Sequence, residues 1–201
     1  MTPTNTITYK PTELDDNAAW SAYQRAGVAA ITHPITLRSG KTVTMRAIRP
    51  DDAERLQAFH SRLSSDTIVM RFFRAAPVLY DRDAWHMTHL DYDNRMALVA
   101  TTGEGADERI IAVVRYERVT AREAEMAFVV EDCWQGQGIS TRLLARLLSY
   151  AKVRGFERMM AVTLATNVRM RAVLSQAGYP FTSHYADGCL TLSLDITETG
   201  E

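Results

Sequence analysis

A short stretch with two glycines, Gly136 and Gly138, carries the clearest chemical signal in this sequence. It follows an apolar run that ends at Val130 and leads into a Leu-rich run that begins at Ile139. A helix start presents backbone N–H groups without intrahelical partners, and the helix dipole adds roughly half a positive charge there. Because glycines let a phosphate approach the backbone, the stretch predicts an anion-binding loop.

Two familiar phosphate-binding loops do not fit this stretch. A Walker loop ends in Gly-Lys-Ser/Thr, and no lysine follows these glycines. A dinucleotide fingerprint needs a third glycine in the first strand–helix turn of a doubly wound sheet, whereas this chain has Thr141 there and several strands before it. A lone Gly-x-Gly also fits an ordinary turn whose glycines only relieve strain. The flanking segments must therefore decide between these interpretations.

One acidic residue, Glu125, interrupts an apolar strand pattern shortly before the loop. Its neighbours are Ala124, Met126 and Ala127. A carboxylate held near a bound substrate can remove a proton from it, which makes Glu125 a candidate general base. The simpler interpretation is an exposed glutamate near the start of a strand, which the alternation of side chains also allows.

Other residues with catalytic or metal-binding chemistry give weaker signals. Cys133 lies beside the loop, but no histidine is close in sequence to activate it, so a small apolar filler is the favoured role. The pair His86-x-x-His89 lacks a partner pair at ligand spacing, so no metal site is predicted.

The helices and strands that position these residues can be predicted from the hydrophobic pattern. This pattern indicates an α+β fold with a mixed sheet. The early strands must be antiparallel because their connections are too short for parallel crossovers. Only the late strand–helix–strand unit, which contains the glycine loop, allows a parallel pair. Helices are predicted over 14–30, from Pro50 onward, and over 66–73, 82–90, 139–155 and 167–177; strands are predicted over 35–37, 42–48, 96–101, 110–118, 124–130, 158–165, 179–186 and 189–196.

Length and composition allow one domain with a full core. The chain has 201 residues, of which 46% are hydrophobic, and a formal net charge of -1. This balance argues against binding nucleic acid or anionic lipid, and no apolar run approaches the ~20 residues of a membrane span. Two cysteines are too few for a disulfide scaffold, so we expect a cytoplasmic protein. Residues 1–34 are predicted to form an extension with a short helix, and residues 35–201 the main domain.

The flanking segments match a known family. The loop residues Gln135-Gly136-Gln137-Gly138-Ile139-Ser140 resemble the Gln/Arg-x-x-Gly-x-Gly/Ala signature of the GNAT superfamily of N-acetyltransferases, with Ser140 in place of Gly or Ala. The resemblance runs from about residue 37 to residue 196 and includes the helix start Arg49-Pro50-Asp51-Asp52. Residues 48–53 and 70–73 are similar to the acetyltransferase domain of bacterial protein lysine acetyltransferases.

The resemblance implies a GNAT-like fold, which is a mixed, mostly antiparallel twisted sheet flanked by helices, with the loop in a late βαβ unit. It implies acetyl-CoA as the co-substrate and no metal. Loop N–H groups would hold the pyrophosphate, and the preceding strand would run beside the pantetheine arm like a neighbouring strand. The residues implied to contact the co-substrate are Phe128, Val129, Val130, Gln135, Gly136, Gln137, Gly138, Ile139, Ser140, Thr141 and Asn167.

The implied reaction is transfer of an acetyl group to a primary amine by direct attack in a ternary complex. An amine with a pKa of roughly 10.4 must lose a proton before it attacks, and the resemblance assigns that step to Glu125. A backbone N–H near Val129 or Val130 would stabilise the oxyanion. Many relatives protonate the thiolate with a tyrosine, but this chain has Leu174 at that position, so no general acid is assigned.

Partners follow from the same resemblance. The acceptor is expected to be a protein lysine or a small-molecule amine, with no nucleic-acid or membrane partner, and the chain is expected to be a monomer or a homodimer. The alternative is a catalytically silent acyl-CoA sensor that uses the same loop to regulate a partner. Binding without turnover distinguishes the sensor from the enzyme.

Overall fold

Eight strands form one sheet in this computed structural model, which describes residues 15–197. Numbered along the chain, the strands are β1 His33–Thr36, β2 Thr42–Ala47, β3 Arg95–Thr102, β4 Arg109–Arg118, β5 Glu123–Val130, β6 Arg158–Leu164, β7 Phe181–Ala186 and β8 Cys189–Asp195. Their order across the sheet is β1-β2-β3-β4-β5-β6-β8-β7. All neighbouring strands are antiparallel except β5 and β6, which are parallel. The predicted α+β class with a mixed, mostly antiparallel sheet is confirmed.

Six α-helices flank the sheet. They are α1 Asp16–Arg25, α2 Ala53–His60, α3 Ser65–Phe72, α4 Asp81–Thr88, α5 Ile139–Val153 and α6 Val168–Ser175. Residues of α2 and α3 pack over Val113 and Ala127, whereas Tyr116, which points to the other face of β4, contacts Phe156 just after α5. Helices α2 and α3 therefore cover one face of the sheet and α5 covers the other. None of these helices within residues 15–197 has the length and apolar character needed to cross a membrane.

Helix α1 is shorter than the segment 14–30 predicted for it. Its buried side includes Tyr23, whose ring packs edge-to-face on Tyr92 at 5.5 Å between ring centroids. The helix ends at Arg25, and Gly27 adopts a left-handed φ of 64° before a short 3-10 turn over Val28–Ile31. Residues 1–14 and 198–201, which belong to the predicted extension and the predicted main domain, lie outside the described part of the chain.

A buried ion-pair network fixes the start of α2 against the sheet. Arg46 of β2 is 1% exposed and donates to both oxygens of Asp52, at 2.6 and 2.8 Å. It also donates to both oxygens of Glu108, at 2.9 and 3.0 Å. Asp52 in turn accepts from the backbone N–H of Arg49 at 2.8 Å. Burial disfavours the charge of Arg46, but the hydrogen bonds to the two carboxylates raise its pKa, so the guanidinium stays charged. This network explains why the motif at residues 49–52 ends in an aspartate.

We expect Asp52→Asn to destabilise the fold by about 2–3 kcal/mol, because the buried Arg46 loses one of its two carboxylate partners and its charge-assisted hydrogen bonds. The measurement is the free energy of unfolding in urea. Asp51→Asn is the matched control, since Asp51 is the adjacent aspartate and is exposed. Equal stability of the two variants would contradict the assigned role of the network.

Candidate active site

The parallel strands β5 and β6 pair over only three residue pairs and then separate. Pairing is seen from Glu123 opposite Arg158 to Glu125 opposite Met160, and it stops there. Strand β5 continues for five more residues, to Val130, with only β4 beside it. The sheet therefore opens a gap on the β6 side of β5 that begins at Glu125.

The backbone of β5 presents hydrogen-bonding groups to this gap. Glu131 N–H donates to Ile111 of the β4 segment at 2.9 Å, whereas Arg122 C=O accepts from Glu157 just before β6 at 2.8 Å. Because backbone groups alternate along a strand, odd-numbered residues face β4 and even-numbered residues face the gap. Phe128 and Val130 thus direct their backbone groups into the gap, whereas Val129 directs its own toward β4.

The glycine loop closes one end of the gap. Gly136 and Gly138 have φ values of 74° and 82°, which side chains rarely tolerate, and Gly138 precedes the first residue of α5, Ile139. Among the backbone hydrogen bonds of turns, loops and helix caps within residues 15–197, none has an N–H group of residues 136–141 as its donor. These N–H groups at the start of a fifteen-residue helix form an arrangement that can bind an anion.

Two arginines lie next to the loop. A Cβ atom built on Gly138 would be 2.7 Å from Arg142 Nη1 and 3.9 Å from Arg38 Nε. Arg38 comes from the β1–β2 turn, and its backbone N–H donates to Gln137 C=O at 3.4 Å. The loop thus combines free N–H groups with two positive side chains, which suits a phosphate-bearing ligand.

Gln135 ties the loop to three neighbouring elements. Its Nε2 donates to the Val130 carbonyl at 3.1 Å and lies 3.3 Å from Thr67 Oγ1 of α3. Its Oε1 accepts a hydrogen bond from Arg169 of α6. The side chain of Gln135 is therefore engaged with the protein, and its contribution is to hold the loop between β5, α3 and α6.

Asn167 caps helix α6. Its side-chain oxygen accepts from the backbone N–H of Met170 at 3.1 Å, which is the usual contact of an N-cap residue. The side chain is thus committed to the helix start, while α6 follows β6, the far wall of the gap.

Glu125 opens into a cavity of about 230 Å³ on the face of β5 covered by α3. Glu117 of β4 lies directly opposite it in the strand register. Partial removal from water raises the pKa of Glu125; Arg71 opposes this rise and the like charge of Glu117 adds to it. A carboxylate with a raised pKa at the fork of two strands can accept a proton from a substrate in the cavity.

The remaining candidate catalytic and metal-binding residues are either engaged in other contacts or chemically unsuited to these roles. Cys133 is exposed, and desolvation together with Glu131 raises the pKa of its thiol, which disfavours the reactive thiolate. Leu174 is fully buried and apolar. The Ser175 hydroxyl donates to Ala172 within its own helix at 3.0 Å. Residues 15–197 contain no group of three or more His, Cys, Asp and Glu side chains placed to hold a metal ion.

Three arginines of the site were not predicted from the sequence. Arg38 sits in a hairpin turn, and only the packing of that turn against the loop reveals its position. Arg71 and Arg115 line the cavity beside Glu125. A signal for both was present, because each interrupts an otherwise apolar segment of helix or strand.

The sheet that opens after Glu125 and the glycine loop at the start of α5 define a family. The chain belongs to the acetyltransferase (GNAT) domain family, whose model matches residues 42–180. The expected GNAT resemblance is thereby confirmed.

Similar proteins come from several bacteria. Acetyltransferase PA5475 of Pseudomonas aeruginosa is 32% identical over 72% of this chain and 78% of its own length. Acetyltransferase Pat of Mycolicibacterium smegmatis is 30% identical over 87% of this chain, which matches only 52% of Pat. The crystal structure of the GNAT domain of S. lividans PAT is 36% identical, with a TM-score of 0.77, and covers 83% of this chain and 98% of that one. These matches confirm the similarity to bacterial protein acetyltransferases.

We expect Gly138→Ala to weaken coenzyme A binding by about tenfold, because the added Cβ strains the loop and displaces Arg142 from it. The measurement is the dissociation constant of coenzyme A from calorimetry. Gly155→Ala is the matched control: Gly155 has a similar φ of 79° just past the other end of α5, with open space around it. An equal affinity in both variants would speak against the loop as the binding site.

Proposed function

We propose that this protein transfers the acetyl group of acetyl-CoA to a primary amine, by direct attack of the amine in a ternary complex. The N–H groups of Gln137, Gly138, Ser140 and Thr141 hold the pyrophosphate, with Gly136 and Ile139 shaping the loop. Arg38 and Arg142 add positive charge beside it. GNAT acetyltransferases use acetyl-CoA, which supports this assignment at the level of the family.

The strand β5 holds the arm of the co-substrate in the gap. The amide groups of the pantetheine arm pair with the C=O of Phe128 and the N–H of Val130, in the manner of a strand added to a sheet edge. Val129 contributes its side chain to the neighbouring cavity wall. This pairing brings the thioester toward Glu125, where β5 and β6 separate.

Glu125 acts as the general base. It accepts the proton that the ammonium form of the acceptor loses, and the neutral amine nitrogen then forms a bond to the acetyl carbon while the carbon–sulfur bond breaks. The extra proton left on the nitrogen passes to the departing thiolate, which gives the amide and free coenzyme A thiol. The Phe128 N–H, which faces the gap closer to Glu125, stabilises the negative charge that develops on the carbonyl oxygen. The acceptor is a protein lysine or a small-molecule amine, and similarity to bacterial protein acetyltransferases supports the lysine.

One observation carries the proposal: β5 loses its parallel partner at the residue that bears the candidate base. The test is release of free thiol from acetyl-CoA with a panel of amines that includes a lysine peptide. Amine-dependent thiol release is expected. Binding of acetyl-CoA without thiol release for any amine would instead identify a sensor.

We expect Glu125→Gln to lower kcat by roughly a hundredfold or more, because an amide cannot accept the proton. The dissociation constant of acetyl-CoA should stay unchanged, since Glu125 lies outside the loop. Glu123→Gln is the control, because Glu123 lies two residues away on the same strand and pairs with Arg158 at 2.7 Å. Full activity of Glu125→Gln at neutral pH would remove it from the mechanism.

We expect the acidic limb of the kcat/KM profile to report the ionisation of Glu125. The base works only when it is deprotonated, so activity falls as the pH drops through its raised pKa. Glu117→Gln removes a like charge, which lowers the pKa of Glu125, so the limb should move to lower pH. A limb that stays in place, or moves to higher pH, would contradict the coupling between the two carboxylates.

A further inference from the structure

Two arginines face the cavity into which Glu125 opens. Arg71 comes from α3 and Arg115 from β4, and both line this cavity of about 230 Å³. Both also line a smaller, mostly apolar cavity under α2 and α3. Their guanidinium groups therefore lie between an apolar wall and the two carboxylates, Glu117 and Glu125.

Neither arginine has an ion-pair partner within 4.0 Å among residues 15–197. A guanidinium carries five N–H donors. Arg115 uses one of them in a long hydrogen bond of 3.4 Å to the carbonyl of Met87, and Arg71 contacts the ring of Phe72 at 4.9 Å. Most of the donors on both side chains thus remain available to a ligand.

A third arginine at the same cavity shows the contrast. Arg118 donates to Asn94 at 2.8 Å and to the Ala121 carbonyl at 2.6 Å, and it stacks on Phe156 at 4.1 Å. Its donors and its planar face are used within the protein. Arg118 therefore serves the structure, whereas Arg71 and Arg115 are left for another role.

The positive charges of Arg71 and Arg115 repel each other in the free protein. Desolvation lowers the pKa of Arg115 to about 10, and the positive charge of Arg71 contributes to this lowering. Arginine side chains stay protonated in proteins at neutral pH, so both groups carry a positive charge. Holding two such charges close together and partly out of water costs free energy, and an anion bound between them removes much of that cost.

We propose that Arg71 and Arg115 form a carboxylate subsite for the acceptor, so that the amine acetylated beside Glu125 belongs to a molecule or peptide that also bears a carboxylate. The carboxylate comes either from a free amino acid or from an acidic residue next to a target lysine. This inference rests on the proposed function, because it concerns the acceptor of that reaction.

The charges in the cavity would orient such an acceptor. Glu117 and Glu125 attract its ammonium group, and the planar guanidinium groups bind its carboxylate through paired N–H donors. A cavity of about 230 Å³ is smaller than the ~300–1,000 Å³ of drug-sized pockets, so it suits an amino-acid-sized group. The amine end is thereby directed to the base.

The first test compares matched acceptors with the unaltered protein. One pair is lysine and lysinamide, and the other is a peptide with Asp beside its lysine and the same peptide with Asn. We expect kcat/KM to be about tenfold higher or more for at least one carboxylate-bearing member, because a hydrogen bond to a charged group is lost in its partner. The pair that shows the preference identifies the source of the carboxylate.

The second test uses Arg71→Met and Arg115→Met, with Arg74→Met as the control, since Arg74 is an exposed arginine near the end of the same helix. We expect the first two variants to lose the preference and Arg74→Met to keep it, with the affinity for acetyl-CoA unchanged in all three. Calorimetric titration of Nε-acetyl-lysine or the matching acetylated peptide, with coenzyme A present, measures acceptor binding without turnover. We expect weaker binding to Arg71→Met and Arg115→Met than to Arg74→Met.

Two kinds of result would contradict these proposals, and they can be told apart. Equal use of both members of each pair by the unaltered protein, or a preference that persists in both arginine variants, overturns the carboxylate subsite and leaves the acetyltransferase proposal intact. No thiol release with any amine overturns the proposed function itself.

Discussion

The separation of β5 from β6 is the constraint on which the site depends. Three residue pairs hold the strands together, and beyond Glu125 the inner strand of a sheet is left with one unpaired edge. Unpaired backbone groups are tolerated only where water or a ligand satisfies them. The loop that follows β5 and the helix α5 that it starts then supply further free N–H groups at the same end. The open strand edge, the loop and Glu125 are therefore brought together by one break in the sheet.

The face of β5 that α3 covers carries the charged side chains of the site. There two odd-numbered residues, Glu123 and Glu125, carry charge, and β4 places Arg115 opposite Ala127 and Glu117 opposite Glu125. Helix α3 brings Arg71 over them. Even-numbered residues such as Met126 are buried in the core. One strand thus serves two purposes, because its backbone faces the gap sideways while its side chains alternate between core and cavity.

The parts of the site that lie close together in the chain could be predicted from the sequence. The glycine loop and Glu125 fall within one strand–loop–helix unit, whose local pattern is legible without tertiary contacts. The direction of backbone groups could not be predicted, because it depends on the register with β4; Val129 faces that strand, whereas its two neighbours face the gap. The positions of Arg38 and Arg71 could not be predicted either, because they depend on long-range packing. The start of α2 was predicted from its proline and acidic residues, but the partner of Asp52 was not.

The short pairing between β5 and β6 also separates the sheet into two parts. Strands β1 to β5 lie on one side of this junction and β6 to β8 on the other, and seven residue pairs join β6 to β8 against three across the junction. Helix α5 packs on β3, β4 and β5 and contacts α6, so the two helices link the two parts where the ladder between β5 and β6 is missing. A substitution in β6 to β8 can therefore change the width of the gap beside β5 without touching the residues of β5 itself.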